Sequence, residues 1–330
     1  MNISLTNDCN RRCEFCFQKE WYLAKNKDEI KEMPLDMFEK AVDMANSDSV
    51  QVMGGEPLLY SKLPELFDLI RKKNKKISFL TNFNVDSNIV KDIILPNFDV
   101  ISHMLINNDY NAAQEETYMK NLELLREKAL NDDSNFFVSF GTTLLPDSEK
   151  NKDNIRRMAK TIDFCKDIKT FNNVRIAPMT PNHIPMKSYD FSLDILKFIC
   201  ALYEKRGDLS FEFDCTVNAC ELNPAVMKKF SDKNMNINYR VEPCSRPIVD
   251  ILVDGSAVWC CSAKWLKVDS FLDYECLEDL EKALLKKWRN YWTEHGQKCD
   301  YKNCGKLSPA FCNGMCVAKT YSVENGLLML

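Results

Sequence analysis

Residues 3–18 read ISLTNDCNRRCEFCFQ, a short apolar alternation that runs straight into Cys9, Cys13 and Cys16 at C-x3-C-x2-C spacing. A disulfide framework would leave one of the three unpaired. A tetrahedral zinc site wants a fourth ligand nearby, and the first histidine, His103, is far downstream. Iron-sulfur clusters are held by cysteine thiolates at short spacings of this kind. In a four-iron cubane, three thiolates leave one iron open to a ligand that is not protein. The stretch also sets a direction, because Cys9 follows directly on the strand NISLT and so stands at that strand's C-terminal end.

Working outward, short apolar runs alternate with amphipathic helices through the next two hundred residues. VQVMGG, KISFLTN, FDVISHMLIN, FFVSFGTTLL and NVRIAPM read as strands. Helices are expected at about Pro34–Asn46, Ser61–Lys73, Ser87–Leu95, Glu115–Leu130, Ser148–Cys165 and Ser188–Arg206. Strands alternating with helices imply a parallel sheet wrapped by helices. Six such units predict an α/β fold, a partial (β/α)6 TIM-like barrel over 1–208, with its active site at the C-terminal ends of the strands. From about Leu209 the pattern breaks into short strands, loops and cysteines with one helix near Leu277–Trp292, so 209–330 is expected to be a separate extension.

Composition narrows the function classes. With 44 basic and 48 acidic side chains the net charge is −4, and no basic excess argues for nucleic acid. No apolar stretch precedes Arg11 as a signal peptide would, and none is long enough to span a membrane, so a cytoplasmic protein is expected. Fifteen cysteines in such a protein lean toward metal or redox chemistry rather than disulfides. Three of them read as plain hydrophobes: Cys165 and Cys200 on apolar helix faces, and Cys215 at the end of the alternation Leu209, Phe211, Phe213.

The second strand ends in Gly54, Gly55, Glu56 and Pro57. Nine glycines in the whole chain make an adjacent pair informative against the usual ~7%. Without Cβ atoms they let backbone approach a ligand closely, and Glu56 with the carbonyls supplies acceptors suited to a ligand ammonium group.

Together these two motifs resemble the radical S-adenosylmethionine (SAM) enzymes, which carry C-x3-C-x-aromatic-C, here with Phe15 as the aromatic, and a GGEP-type motif at the end of the second strand. The resemblance covers about residues 1–205. It implies that Cys9, Cys13 and Cys16 hold a [4Fe-4S] cluster whose open iron chelates SAM, and that Gly54, Gly55, Glu56 and Pro57 contact SAM. It further implies reductive cleavage to a 5′-deoxyadenosyl radical that removes hydrogen from a substrate, with an electron donor such as flavodoxin or ferredoxin.

The last third carries a second resemblance. Cys244, Gly255 and Cys260 read C-x10-G-x4-C, and Cys299, Cys304, Cys312 and Cys316 read C-x4-C-x7-C-x3-C. These are similar to the SPASM extension of radical SAM enzymes, or its shorter twitch relative, which hold auxiliary [4Fe-4S] clusters. The second block is longer than usual in two gaps, and no cysteine follows Cys316. The resemblance assigns Cys244, Cys260 and Cys316 to one auxiliary cluster and Cys299, Cys304 and Cys312 to another, with Cys220, Cys261 and Cys276 as candidate fourth ligands. One auxiliary cluster, or a four-cysteine zinc site at 299–316, are the alternatives.

In sulfatase maturases an aspartate serves as base just after the second cysteine of the C-x-G-x4-C block; here that position is Cys261. His103, His183 and His295 read as structural or surface residues, and Trp259, Trp265, Trp288 and Trp292 as cover for the clusters. The extension is most often found on peptide-modifying members, so a peptide substrate, such as a small precursor peptide, is expected. With Cys9 so near the start, a leader-binding function is expected from the barrel, the extension or a separate protein. The competing readings are a radical SAM dehydrogenase of a small molecule such as a sugar or aminocyclitol, and a non-catalytic iron-sulfur redox protein. A substrate lying over the open end of the barrel would have the SAM site on one side and the cysteine-rich extension on the other.

Overall fold

The computed structural model describes residues 1–16, 31–131, 136–145, 147–178, 191–213, 228, 232, 236–238 and 248–295. Ten strands occur in chain order: β1 Asn2–Thr6, β2 Ser49–Gly54, β3 Lys76–Thr81, β4 Ile101–Asn107, β5 Phe137–Leu144, β6 Asn173–Pro178, β7 Ser210–Phe213, β8 Asn236–Asn238, β9 Asp250–Ile251 and β10 Ala257–Val258. The main helices are α1 Leu35–Met44, α2 Leu63–Lys72, α3 Glu115–Asn131, α4 Ser148–Phe164, α5 Phe191–Tyr203 and α6 Leu277–His295. All six expected barrel strands are present, each followed by the helical segment expected of it, in a mixed α/β fold with a parallel sheet. The segment after β3 is broken into the short turns Ser87–Ile89, Val90–Ile94 and Leu95–Asn97. Pro96, just inside the last of these, lacks the N–H a continuous helix would need.

The chain divides into two compact units. The first comprises Met1–Ser139, Asp167–Phe171 and Ile248–Leu285. Its strands lie in the order β10-β9-β1-β2-β3-β4. β1, β2, β3, β4 and β9 run parallel, and β10 returns antiparallel to β9. Alternation along the strands sorts their residues into two faces. Ile3, Leu5, Val50, Val52, Ile77 and Phe79 are fully buried, as are Phe38 and Val42 of α1 and Leu66, Phe67 and Ile70 of α2. Each such side chain contributes about 1.5–3 kcal/mol by leaving water. Phe67 meets Phe79 with ring centroids 5.9 Å apart, which pins α2 to β3. On the alternate face the half-buried Ser49, Ser78 and Ser102 form a hydroxyl triangle with edges of 3.1–3.4 Å.

The β9–β10 hairpin turns at Gly255, whose φ of +82° favours glycine. Gly255 N–H donates to Leu252 O at 2.9 Å and Leu252 N–H to Ser256 O at 2.8 Å, which closes the turn. This is the glycine of the C-x10-G-x4-C pattern.

The described part of the second unit comes from Phe140–Lys166, from Asn172 through β8, and from Lys286 onward. β6 pairs in parallel with β7, and β7 with β8, so the sheet does not stop at a sixth strand. Phe211 and Phe213 are buried on one face of β7, as the alternation predicts. Asp147 caps α4 by accepting from the Glu149 and Lys150 amides at 3.0 and 3.2 Å. Cys165 is fully buried, whereas Cys200 is only half-buried on α5.

Candidate functional site

Cys9, Cys13 and Cys16 lie in one loop beyond the end of β1, all half-buried, with Cys16 N–H donating to Cys13 O at 3.2 Å. Phe15 is half-buried beside them. Burial pushes the Cys13 thiol up to about 11, with the Arg11 cation opposing that shift and Asp109, Cys16 and Cys9 adding to it. Cys9 Sγ accepts from the Arg11 amide at 3.4 Å and from Asn82 Nδ2 at 3.8 Å. Among the described residues no three His, Cys, Asp or Glu side chains converge on one point as ligands of a single ion do. Thiolates of a cubane bind separate irons and surround the cluster instead.

The glycine pair is fastened to this loop. Gly55 N–H donates to Thr6 O at 2.7 Å and Glu56 N–H to Asp8 O at 2.8 Å. A Cβ on Gly54 would stand 2.4 Å from Thr6 O, and one on Gly55 would stand 2.2 Å from Asp8 O. The end of β2 therefore lies directly against the backbone leading into Cys9, at a distance only glycine permits. Gly54 has φ +143°, a second reason for its identity.

Glu56 is fully buried and faces its own chain. Its Oε1 accepts from Leu58 N–H at 3.1 Å and from Thr81 Oγ1 at 2.6 Å, and its Oε2 accepts from Asn82 N–H at 2.7 Å. The carboxylate thus caps the short turn Pro57–Leu59 and ties it to the end of β3. Burial raises its pKa to about 7, while the bonds from Thr81, Asn82 and Leu58 and the Arg11 cation pull the other way. Pro57 is buried at the first position of that turn.

The end of β3 completes the arrangement, and it is a part of the site that the cysteine and glycine motifs did not single out. Asn82 Nδ2 donates to Asn10 Oδ1 at 2.9 Å, and Asn10 Nδ2 donates to Asn84 O at 2.5 Å. Phe83 is fully buried at φ +54°, a conformation costing of order 1–3 kcal/mol in a bulky residue. Thr81 Oγ1 accepts from the Phe83 amide at 2.9 Å, and Asn121 Nδ2 donates to Phe83 O at 3.1 Å, which holds the strain. The cue in the sequence is Asn82 and Asn84, two turn formers directly after an apolar strand.

The second cysteine group is elsewhere. Asn2 pairs with Asp250 and Asp250 with Val258, so Cys260 leaves the hairpin at the start of β1, while Cys9 follows its end. Four residue steps of about 3.3 Å set these ends roughly 13 Å apart. The cause is β10, which returns antiparallel to β9 and carries the chain back to the start of β1. Cys261 Sγ donates to Asp250 Oδ2 at 3.0 Å, and burial followed by the Asp250 charge holds its pKa well above the usual range. Cys276 is half-buried just ahead of α6, and Trp259 is buried beside Cys260 in sequence. His103 Nε2 is 2.8 Å from Ser139 Oγ, a structural contact within the first unit. Cys215, Cys220, Cys244, Cys299, Cys304, Cys312, Cys316 and His183 lie outside the described residues, as do the side chains of Trp292 and His295.

The residues at the end of β1 fit a thiolate-held cluster on three counts. Three half-buried thiols share one loop, two N–H donors point at Cys9 Sγ, and a buried guanidinium nitrogen of Arg11 has no partner among the described residues. No helix among the described residues is long and apolar enough to cross a membrane.

Residues 3–162 match the radical SAM superfamily. An 83-residue segment is 31% identical to the antilisterial bacteriocin subtilosin biosynthesis protein AlbA of Bacillus subtilis (strain 168), covering 24% of this chain and 17% of that protein. Streptococcus suis SuiB bound to S-adenosylmethionine superposes over 99% of this chain and 75% of its own, with TM-score 0.59 and 13% identity. The enzyme anSMEcpe with bound AdoMet superposes over 100% and 89%, with TM-score 0.61 and 18% identity. At these identities the structures speak for the fold. With the cysteine loop, the glycine pair locked against it and the parallel strands that carry both, residues 3–162 are a domain of the radical SAM superfamily.

Proposed function

We propose that this chain cleaves S-adenosylmethionine reductively and uses the resulting 5′-deoxyadenosyl radical to remove hydrogen from a peptide. The observation that carries the reading is the pair of bonds from Gly55 and Glu56 to Thr6 and Asp8, which sets the GGEP turn against the cysteine loop. Cys9, Cys13 and Cys16 would hold a [4Fe-4S] cluster that supplies the electron and an open iron for SAM. The half-buried edge of Gly54 and Gly55 would then offer backbone carbonyls to the SAM ammonium group. Glu56, with no surface of its own, holds that edge in place from behind.

The peptide substrate draws support from the solved relatives, since SuiB is known bound to precursor peptide SuiA and anSMEcpe bound to AdoMet and the Cp18Cys peptide. AlbA is named for subtilosin biosynthesis. The matched segment spans under a fifth of AlbA, so the bond formed is not carried over. In this proposal Cys260, together with Cys244 and Cys316, and the set Cys299, Cys304 and Cys312 would hold one or two auxiliary clusters. A flavodoxin or ferredoxin would reduce the first cluster, and the barrel, the extension or a separate protein would recognise the precursor's leader.

The test is anaerobic reconstitution of the full chain with iron and sulfide, followed by mass spectrometry of SAM products with candidate peptides and with small sugars. We expect 5′-deoxyadenosine from the wild type and none after replacing Cys9, Cys13 and Cys16 by Ala together. Unchanged 5′-deoxyadenosine in that triple variant would sink the assignment. Turnover of a sugar and of no peptide would favour the small-molecule reading.

A further inference from the structure

Arg11 stands between Cys9 and Cys13, and only 6% of it is exposed. Its Nη1 is shielded from solvent and has no hydrogen-bond partner among the described residues. Its neighbour Arg12 is exposed, and there Nη1 donates to Cys9 O at 2.6 Å and Arg11 O at 2.8 Å. A guanidinium has donors and no acceptor, and a buried cation lacking a counter-charge is strongly destabilising. The acids nearby do not answer the need. Both Glu56 oxygens are taken by Leu58, Thr81 and Asn82, and Asp109, whose charge reaches Cys13, is not bonded to Arg11 Nη1. The Arg11 charge does reach Cys13 and Glu56.

The surroundings of the loop sulfurs have the same sign. Cys9 Sγ receives the Arg11 amide and Asn82 Nδ2, two donors that favour a thiolate. Three thiolates outweigh the positive charge of an oxidised cubane core, and the electron added on reduction deepens the excess. An anion of that kind beside Arg11 would supply the missing counter-charge.

We propose that Arg11 is the buried charge partner of an anionic iron-sulfur cluster at Cys9, Cys13 and Cys16, and that it sets the cluster's reduction potential. The inference rests on the cluster reading of the previous subsection. A fixed cation stabilises the more negative, reduced form, so its loss makes reduction harder. Arg11 acts here through charge on the cluster and is a positioning and tuning residue, with no contact to substrate.

The test is a redox titration, followed by electron paramagnetic resonance, of the reconstituted full chain carrying Arg11, Arg11→Leu or Arg11→Lys. Each is measured with and without S-adenosylmethionine. The first cluster's signal is the one that disappears when Cys9, Cys13 and Cys16 are replaced together. If no signal depends on those cysteines, the cluster reading fails and the Arg11 proposal with it. At a potential near the wild-type midpoint and without SAM, Arg11→Leu is expected to lower the reduced-to-oxidised ratio about tenfold, a displacement of about 59 mV for one electron. Arg11→Lys, which keeps the charge, is expected to stay close to wild type. A folded Arg11→Leu chain that binds no first-cluster iron, beside an Arg11→Lys chain that does, supports the proposal equally. Equal midpoints in all three chains overturn it. So does Arg11→Lys as impaired as Arg11→Leu, because charge is the quantity retained. A shift that appears with SAM alone would assign the guanidinium to a ligand carboxylate and overturn the cluster assignment.

Discussion

Glu56→Gln replaces one oxygen by an amide nitrogen in a side chain that has no exposed surface, and it separates charge from shape in the GGEP turn. In the native protein Oε1 takes two donors, Leu58 N–H and Thr81 Oγ1, and Oε2 takes Asn82 N–H. A glutamine oxygen placed at the two-donor position turns its own NH2 against the Asn82 amide. The lost bond and the buried donor left facing another donor cost about 1–3 kcal/mol at every pH. A second, pH-dependent part comes from protonation. The native carboxyl is raised from 4.5 to about 7, so between those values it holds a proton that an exposed carboxyl has released. The stabilisation this gives is complete below pH 4.5 and is lost as pH rises through about 7. At 1.36 kcal/mol per unit of pH the loss amounts to about 3 kcal/mol, and Gln shows none of it.

Amide hydrogen exchange of the peptides containing Leu58 and Asn82 reads this locally, without requiring that a multi-cluster protein unfold in two states. With intrinsic exchange rates divided out, wild-type protection relative to Glu56→Gln is expected to fall roughly a hundredfold from pH 5 to pH 8. A flat ratio would show that the three donors and Arg11 keep Glu56 ionised throughout, and a rising one would reverse the sign of the argument. Either result refutes the reasoning.

Gly55→Ala drives a Cβ to 2.2 Å from Asp8 O and 2.6 Å from Asp8 C, both backbone. We expect a cost of about 1–3 kcal/mol or more and loss of first-cluster iron by metal analysis, whereas Gly207→Ala, with nothing within 4 Å of its new Cβ, should leave thermal stability and iron unchanged or slightly improved. Cys261→Ser keeps a donor to Asp250 and should retain wild-type iron; clear loss of iron would instead make Cys261 a ligand. Because burial lifts the Cys13 thiol to about 11, metal must displace its proton, so zinc used as a probe should bind the metal-free chain more tightly at pH 9 than at pH 7. Affinity independent of pH over that interval would contradict the buried thiol.

What could be read without coordinates followed from local rules. Period-two alternation marked the first-unit strands because one face of each is buried, and Gly54 and Gly55 stood out because a close backbone approach has few other solutions. The Glu56 carboxylate was harder. Its residue type suits a ligand ammonium, but which way it turns depends on Thr81 and Asn82, a strand away and 25 residues or more along the chain. Asn82 and Arg11 were missed for the same reason: a turn former after a strand and an arginine in a polar loop are unremarkable until a partner, or the lack of one, can be seen. β9 and β10 were short enough, at two residues each, to carry no periodicity of their own.

The placement of those two short strands changes how the cysteines relate to one another. Asn2 Nδ2 donates to Asp250 Oδ1 at 2.7 Å, and Cys261 Sγ donates to Asp250 Oδ2 at 3.0 Å, so a single carboxylate joins the first residue of β1 to the Cys260–Cys261 turn. At the other end of the same strand, Thr6 O accepts from Gly55, and Thr6 Oγ1 accepts from the Asp8 amide at 3.0 Å on the way to Cys9. β1 is therefore a five-residue ruler with a cysteine site referenced to each end. Its length is set by buried Ile3 and Leu5 between β2 and β9, where a slip of one residue would carry both side chains to the alternate face. The separation between the two sites is thereby fixed by the sheet's own register rather than by the loops that hold the cysteines.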